Sequence, residues 1–207
     1  MRDRRYHARL ALRGAGREGA IDENGAGALL QDGDIRVPIA VAGPQRAPEN
    51  VARDAARHPG ETLAFWGLKP GQTVIELSPG GGYWTEILAP YARATGGTYV
   101  ATAADLDNPK LSEGAKKARA GFEARYGDQA KYGQIQYVNF GAVSGPLGAP
   151  NSADLVITAR NVHNWMAQGT LDKVLKDAHA VLKPGGVLAV EEHRADPKPE
   201  LPGASNG

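Results

Sequence analysis

The stretch TVIELSPGGGYWTEILAP, residues 73–90, joins a continuous apolar run to a glycine-rich elbow and then to the beginning of an amphipathic helix. A strand buried on both faces reads as such a run, and a strand followed by a helix is the repeating unit of a parallel sheet. Glycine lets the backbone approach a ligand where a Cβ would collide, and the helix start beyond it offers free N–H groups. The stretch therefore predicts a small-molecule site at the carboxyl end of a first strand.

The same alternation continues downstream. GTYVATAAD (97–105), IQYVNF (135–140), ADLVITAR (153–160) and VLAVEEH (187–193) read as four further strands. A helix is expected over 110–126, with Leu111, Ala115, Ala118 and Phe122 on one face. Another is expected over 170–183, with a stripe of Leu171, Val174, Leu175, Ala178, Val181 and Leu182, stopped by KPGG. Upstream, ENVARDAARHPGETLAFWGLKPG (49–71) reads as helical with an interruption at Pro59 and Gly60, and Pro90 should kink or end the helix after the elbow. Continuous apolar strands separated by helices predict an α/β, Rossmann-like, doubly wound and mostly parallel sheet, in which ligands bind beyond the carboxyl ends of the strands.

Residues 1–47 have little apolar periodicity and many Gly and Arg, so they are expected to form a poorly ordered basic arm ahead of one domain at 48–207. A chain of 207 residues can bury a full core without disulfides or a structural metal. With 24 Lys+Arg against 23 Asp+Glu the formal charge is +1, which gives no electrostatic reason to expect a nucleic-acid or membrane-surface partner and favours a small ligand. Cysteine is absent, so thiolate catalysis is excluded. No stretch has the length of an apolar membrane span, and the N-terminal residues lack the apolar core of a secretory signal, so a cytoplasmic location is expected.

A nicotinamide dinucleotide would call for G-x-G-x-x-G, yet Thr85 stands where the third glycine would be, counting from Gly80. The pattern Glu76-x-Ser78-x-Gly80-x-Gly82 instead resembles the first motif of class I S-adenosylmethionine-dependent methyltransferases. The resemblance runs from about Glu49 to Ala195. RDAARHPGETLAFWGLKPGQTVIELSPGGGYWTEILAP (53–90), RNVHNWM (160–166) and LKPGGVLAVEEHR (182–194) are similar to a bacterial subgroup of predicted methyltransferases, and a helix followed by LKPGG and an apolar strand is typical of the class. The resemblance implies the class I methyltransferase fold, S-adenosylmethionine as cofactor and a small-molecule methyl acceptor. A silent relative that binds the cofactor is the alternative, with an NAD-dependent oxidoreductase behind it.

The resemblance also implies roles for individual residues. Glu76 meets the cofactor's amino-acid end. Gly80, Gly81 and Gly82 bring backbone against its ribose and methionine part, with Ser78 in place of the usual first glycine and Tyr83 closing over it. Ala103 stands where an acid would hold the ribose hydroxyls, and Asp105 is the nearest carboxylate. Asn139 and Phe140 fall at the adenine, by amide hydrogen bonding and ring packing, and Asn161 is taken as a further cofactor contact.

Methyl transfer is an in-line displacement, so the protein mainly aligns a nucleophile and excludes water. Where the acceptor carries a proton, a histidine is the natural base, because its unperturbed pKa is about 6.5. His163, just after the fourth strand, is the candidate base, with Asn161 or Asn164 orienting it or the acceptor and Trp165 as an apolar wall. Equally open is that His163 caps the next helix and Trp165 belongs to the core. Arg160 either binds an acidic substrate or pairs with Glu191 or Glu192. His163 with Glu192 or His193 has no close metal-ligand spacing, so no metal site is expected. The class ends in a sixth and a seventh strand for which PKPELPGASNG leaves no sequence. The edge of the fifth strand is then covered by the arm, paired with a second copy in a homodimer, or left open.

Overall fold

The computed structural model describes residues 5–11 and 36–193. Six strands form one sheet: β1 (Arg5–Ala11), β2 (Thr73–Leu77), β3 (Thr98–Ala104), β4 (Ile135–Phe140), β5 (Ala153–Ala159) and β6 (Leu182–His193). Their order is β1-β6-β5-β2-β3-β4, with β2 to β6 all parallel and β1 antiparallel on β6. The chain leaves β2 towards β3 on one side and later returns to β5 on the other, so the order reverses at β2. Its carboxyl end is the topological switch point, where open α/β sheets hold ligands. Glu76 sits there, opposite Ala101 of β3 and Ile157 of β5.

Both faces of the sheet are covered, which is why its strands read as unbroken apolar runs. Val74, Leu155 and Ile157 face one core with Trp66, Trp84, Ile87, Leu88 and Tyr99, contributed largely by α4 (Pro59–Trp66) and α5 (Thr85–Thr95). Ile75, Leu77 and Val156 face the other, with Trp165, Val174, Ala178 and Val181 from α8 (Val162–Ala167) and α9 (Leu171–Val181). Of the expected stripe of α9, Val174, Ala178, Val181 and Leu182 are buried, Leu171 is half-buried and Leu175 is exposed. The helix expected over 110–126 runs from Glu113 to Arg125 (α6), capped by Ser112, whose Oγ accepts from the Ala115 N–H at 3.2 Å. Ala115, Arg119, Phe122 and Glu123 are its half-buried residues, whereas Ala118 is exposed. KPGG does not merely stop α9; it is already part of β6, with Gly185 at φ 82°.

The N-terminal segment is the largest departure from expectation. Residues 1–4 and 12–35 lie outside the described residues. Residues 5–11 form β1, which pairs along β6 from Arg5 opposite His193 to Ala11 opposite Val187. Of the three alternatives for this edge, the structure shows covering by the N-terminal segment of the same chain. Residues 36–47 belong to the domain rather than to an arm: α1 (Arg36–Val41) packs against α5, and the buried Arg46 pairs with Asp54 of α3 (Asp54–Arg57) at 2.5 Å. Between them lies α2 (Pro48–Val51). His58, in the left-handed region at φ 44°, separates α3 from α4, which starts at Pro59 as the Pro–Gly signal indicated.

Pro90 neither ends nor breaks α5, which continues to Thr95. Proline has no N–H, so the carbonyl four residues earlier, that of Glu86, loses its helical donor. Gln45 replaces it: its Nε2 donates to the Glu86 carbonyl at 3.1 Å and to the Ala40 carbonyl at 3.0 Å. Gln45→Leu is expected to cost about 1–3 kcal/mol in urea unfolding, because these carbonyls lose their donor. Adding Pro90→Ala restores the helical donor and should recover part of that loss in a double-mutant cycle; purely additive effects would refute the coupling.

Candidate functional site

The elbow between β2 and α5 is shaped by three positive φ angles: Ser78 at 52°, Gly80 at 58° and Gly82 at 81°. The left-handed conformation of Ser78 is held by its N–H, which donates to Thr102 Oγ1 at 2.7 Å. Glycine at 82 serves packing, because a Cβ there would strike the Tyr126 ring, and Gly82 borders none of the three clefts described next. Gly80 and Gly81 are different. A Cβ on either would meet nothing within 4 Å, and both border a cleft of about 230 Å³. Ser78 is shared by this cleft, a second of about 290 Å³ beside Phe140, Asn164 and Trp165, and a third of about 340 Å³ between the elbow, the end of β3 and α6. A groove thus follows the carboxyl ends of the strands on both sides of the switch point.

Glu76 borders the first cleft and is only 3 % exposed. Its Oε2 accepts from Thr85 Oγ1 at 3.1 Å and from the Tyr99 hydroxyl. Burial raises its pKa to about 7, against the opposing pull of those two hydrogen bonds and of the Arg57 charge. The residue that breaks the dinucleotide pattern, Thr85, is therefore a donor to the acid of the elbow.

The turn after β5 brings a histidine and a carboxylate together. His163 Nδ1 lies 3.0 Å from Glu192 Oε1, and Glu192 Oε2 accepts from the Val162 N–H at 2.9 Å. Burial raises the Glu192 carboxyl, but hydrogen bonds from the His193 N–H and from His163 outweigh it and hold its pKa below the ordinary value. An ionised carboxylate only accepts, so Nδ1 carries the proton and Nε2 of the neutral ring keeps its lone pair. The group that orients His163 is therefore Glu192. Asn161 instead donates through Nδ2 to the Leu77, Ser78 and Ala159 carbonyls and to Thr158 Oγ1 at 3.1–3.3 Å, tying the ends of β2 and β5 together while bordering the cleft. Asn164 is exposed and borders the second cleft, not the first. Trp165 is core, edge-on to Phe140 at 6.0 Å. Arg160, at φ 64°, pairs with neither Glu191 nor Glu192 through its side chain; its Nε donates to His193 Nε2 at 2.8 Å. A non-glycine residue at such a φ costs on the order of 1–3 kcal/mol and marks a position held by its surroundings.

Two expected cofactor contacts are committed elsewhere. Asp105 is buried, accepts from the Asp107 N–H at 3.1 Å as the start of a turn, and borders none of the three clefts. Asn139 accepts from Arg119 and donates to Asp107 Oδ2 at 2.8 Å, and it too borders none of them. Phe140 borders the second and third clefts, and Ala103 the third. Tyr83 borders the first, but its hydroxyl is tied to Asp54 Oδ1 at 2.7 Å and Arg57 lies 4.3 Å from its ring centre. Arg53 and Arg57 of the first cleft were not singled out in the sequence, although their spacing in RDAAR places them on one face of a helix. Among the described residues no three His, Cys, Asp or Glu are grouped to hold a metal ion, and no helix is long and apolar enough to cross a membrane.

Because native Glu76 holds its proton more tightly than the unfolded chain does, its contribution to stability is full below about pH 4.5 and is lost as pH rises through about 7. The corresponding change is on the order of 3 kcal/mol. Glu76→Gln should flatten that part of the stability curve in denaturant titrations between pH 5 and 8; an unchanged slope would show that Glu76 is not the group responsible.

A family model described as the ubiE/COQ5 methyltransferase family matches residues 58–204. Two curated ubiquinone/menaquinone biosynthesis C-methyltransferases, from Psychromonas ingrahamii and Haemophilus ducreyi, are each 32 % identical over 131 residues, or 63 % of this chain. The chain spans about half the length of these relatives, 46 % and 45 %. In fold it is similar to a SAM-dependent methyltransferase from Aquifex aeolicus, with a TM-score of 0.52 at 20 % identity over 72 % of each chain. With the glycine elbow at the switch point of a five-stranded parallel sheet, and with the family match covering most of its length, the chain belongs to the ubiE/COQ5 methyltransferase family.

Proposed function

We propose that the chain is an S-adenosylmethionine-dependent methyltransferase that acts on a small-molecule acceptor, with His163 as the acceptor's base. Within the family we assign it to the bacterial subgroup marked by RNVHNWM. The observation that supports the reading best is the elbow itself: a cleft that Cβ atoms at Gly80 and Gly81 would fill, bordered by the buried carboxylate of Glu76. A flat nucleoside with a cationic amino-acid tail fits both features. Glu76 would hold the tail's ammonium group, Gly80, Gly81 and Ser78 would present backbone to it, and Phe140 would pack against the adenine. When bound, S-adenosylmethionine supplies a methyl carbon activated by its sulfonium.

The chain's own residues do the rest. His163 Nε2 takes the proton of an acceptor hydroxyl, and the ionised oxygen, or a carbon conjugated with it, becomes the nucleophile. That atom bonds to the methyl carbon as the carbon–sulfur bond breaks, and the electron pair stays on sulfur. Glu192 steadies the protonated imidazole through Nδ1. The C-methyltransferase names of the relatives are compatible with the carbon route. An NAD-dependent reaction is not favoured, since Thr85 occupies the third-glycine position and is hydrogen-bonded to Glu76.

Calorimetry of the full chain with S-adenosylhomocysteine should show binding, and Gly80→Val should weaken it about tenfold or more by filling the cleft. Unchanged binding in that variant would sink the elbow assignment. With methyl-labelled cofactor and a metabolite extract, His163→Ala should slow labelling roughly 10²–10⁴-fold while leaving S-adenosylhomocysteine affinity intact. Labelling at the native rate would remove His163 as the base, and no labelling by the native chain would identify a silent binder.

A further inference from the structure

Two arginines border the first cleft without an anionic partner. Arg160 comes from the turn after β5 and Arg53 from the start of α3. Among the described residues neither forms an ion pair with a carboxylate, and the terminal nitrogens of Arg160 make no hydrogen bond. Arg160 is nevertheless held in place. Its N–H donates to the Glu191 carbonyl at 2.7 Å, and its Nε donates to His193 Nε2, which must then be the unprotonated nitrogen of that ring. The guanidinium is thereby aimed with its bidentate fork still unused.

The one carboxylate bordering this cleft is Glu76, which is buried and already accepts two hydrogen bonds. Nor does the cofactor balance the site, since a sulfonium and an ammonium against one carboxylate leave it a net cation. A guanidinium held at the edge of a cleft with its fork unused is a ready seat for an anionic group brought in by the ligand. His163, which borders the same cleft, fixes where the reacting atom of that ligand must lie.

We propose that the methyl acceptor is itself an oxyanion, a carboxylate or a phosphate ester, which lies against Arg160 with Arg53 as second anchor while its nucleophilic atom faces His163. This inference rests on the methyltransferase reading above and narrows it to a substrate class.

The test uses the full chain, methyl-labelled S-adenosylmethionine and a metabolite extract, with the products separated on an anion exchanger at neutral pH. Label should be retained by the exchanger. Arg160→Met should cut labelling at least tenfold, Arg160→Lys should restore part of it, and S-adenosylhomocysteine affinity by calorimetry should stay within twofold of the native value in both. Prior phosphatase treatment of the extract distinguishes the sources: it removes the label if the anion is a phosphate ester and spares it if the anion is a carboxylate. A labelled product other than the cofactor itself in the unretained fraction, or full labelling by Arg160→Met, overturns the inference and leaves the methyltransferase reading standing. A parallel loss of S-adenosylhomocysteine affinity in Arg160→Met overturns it as well, by assigning that arginine to the cofactor. Failure of the native chain to bind S-adenosylhomocysteine or to label any product removes the methyltransferase reading and this inference with it.

Discussion

A carboxyl group buried at the end of the central strand sets the terms for everything around it. Glu76 sits in the middle of the parallel sheet, where water cannot solvate it, so its polar neighbours must come from the protein. Thr85 supplies one donor and thereby places the first turn of α5; Tyr99 supplies another and links β3 to the same oxygen. The two partners also meet each other at 2.8 Å. The geometry of the elbow is thus coupled to the packing of the strand beside it, and the cleft above the glycines follows from that coupling.

A second buried acid, Glu86, organises the same first turn of α5. Glu86 accepts from the Ala47 N–H at 3.0 Å, from Arg125 at 3.1 Å and from the Tyr126 hydroxyl at 3.3 Å. Tyr126 in turn donates to the Gly81 carbonyl at 3.2 Å. The N-terminal layer, α5 and α6 are therefore joined through one side chain whose neighbours reach back to the elbow. The same layer presents Arg53 and Arg57 to the cleft, while Asp54 between them holds Arg46 and the Tyr83 hydroxyl. A charged helix face here forms a wall of the cleft rather than a fully solvated surface.

The sheet and its helices were legible in the sequence because burial on both faces leaves a one-dimensional trace. TVIEL, ADLVITA and the stripe of α9 need no partner information to be read. What could not be read depends on residues far apart in the chain. Nothing near Pro90 indicates that Gln45 would repair the helix, and nothing in residues 5–11 names β6 as their partner. The site divides in the same way. That Gly80, Gly81 and Glu76 would meet at one cleft was legible because the elbow is local. The surroundings of Gly82, Asp105 and Asn139 could not be read, because each is decided by a tertiary neighbour or a turn: Tyr126, the turn to Asp107 and Arg119. His163 was singled out by its place after a strand, but its orienting carboxylate lies 29 residues away and only the fold brings it close.

The strand that borders β6 has a consequence for how the protein is made. Among the described strands β1 is the first in the chain, and β6, with which it pairs, is the last. Until β6 is made, the backbone donors and acceptors of β1 have no native mate. Zipping β1 onto the sheet joins strands far apart in the sequence, a contact of the slow, long-range kind. The nucleotide-fold half of the molecule can thus be complete before its last seam is sealed.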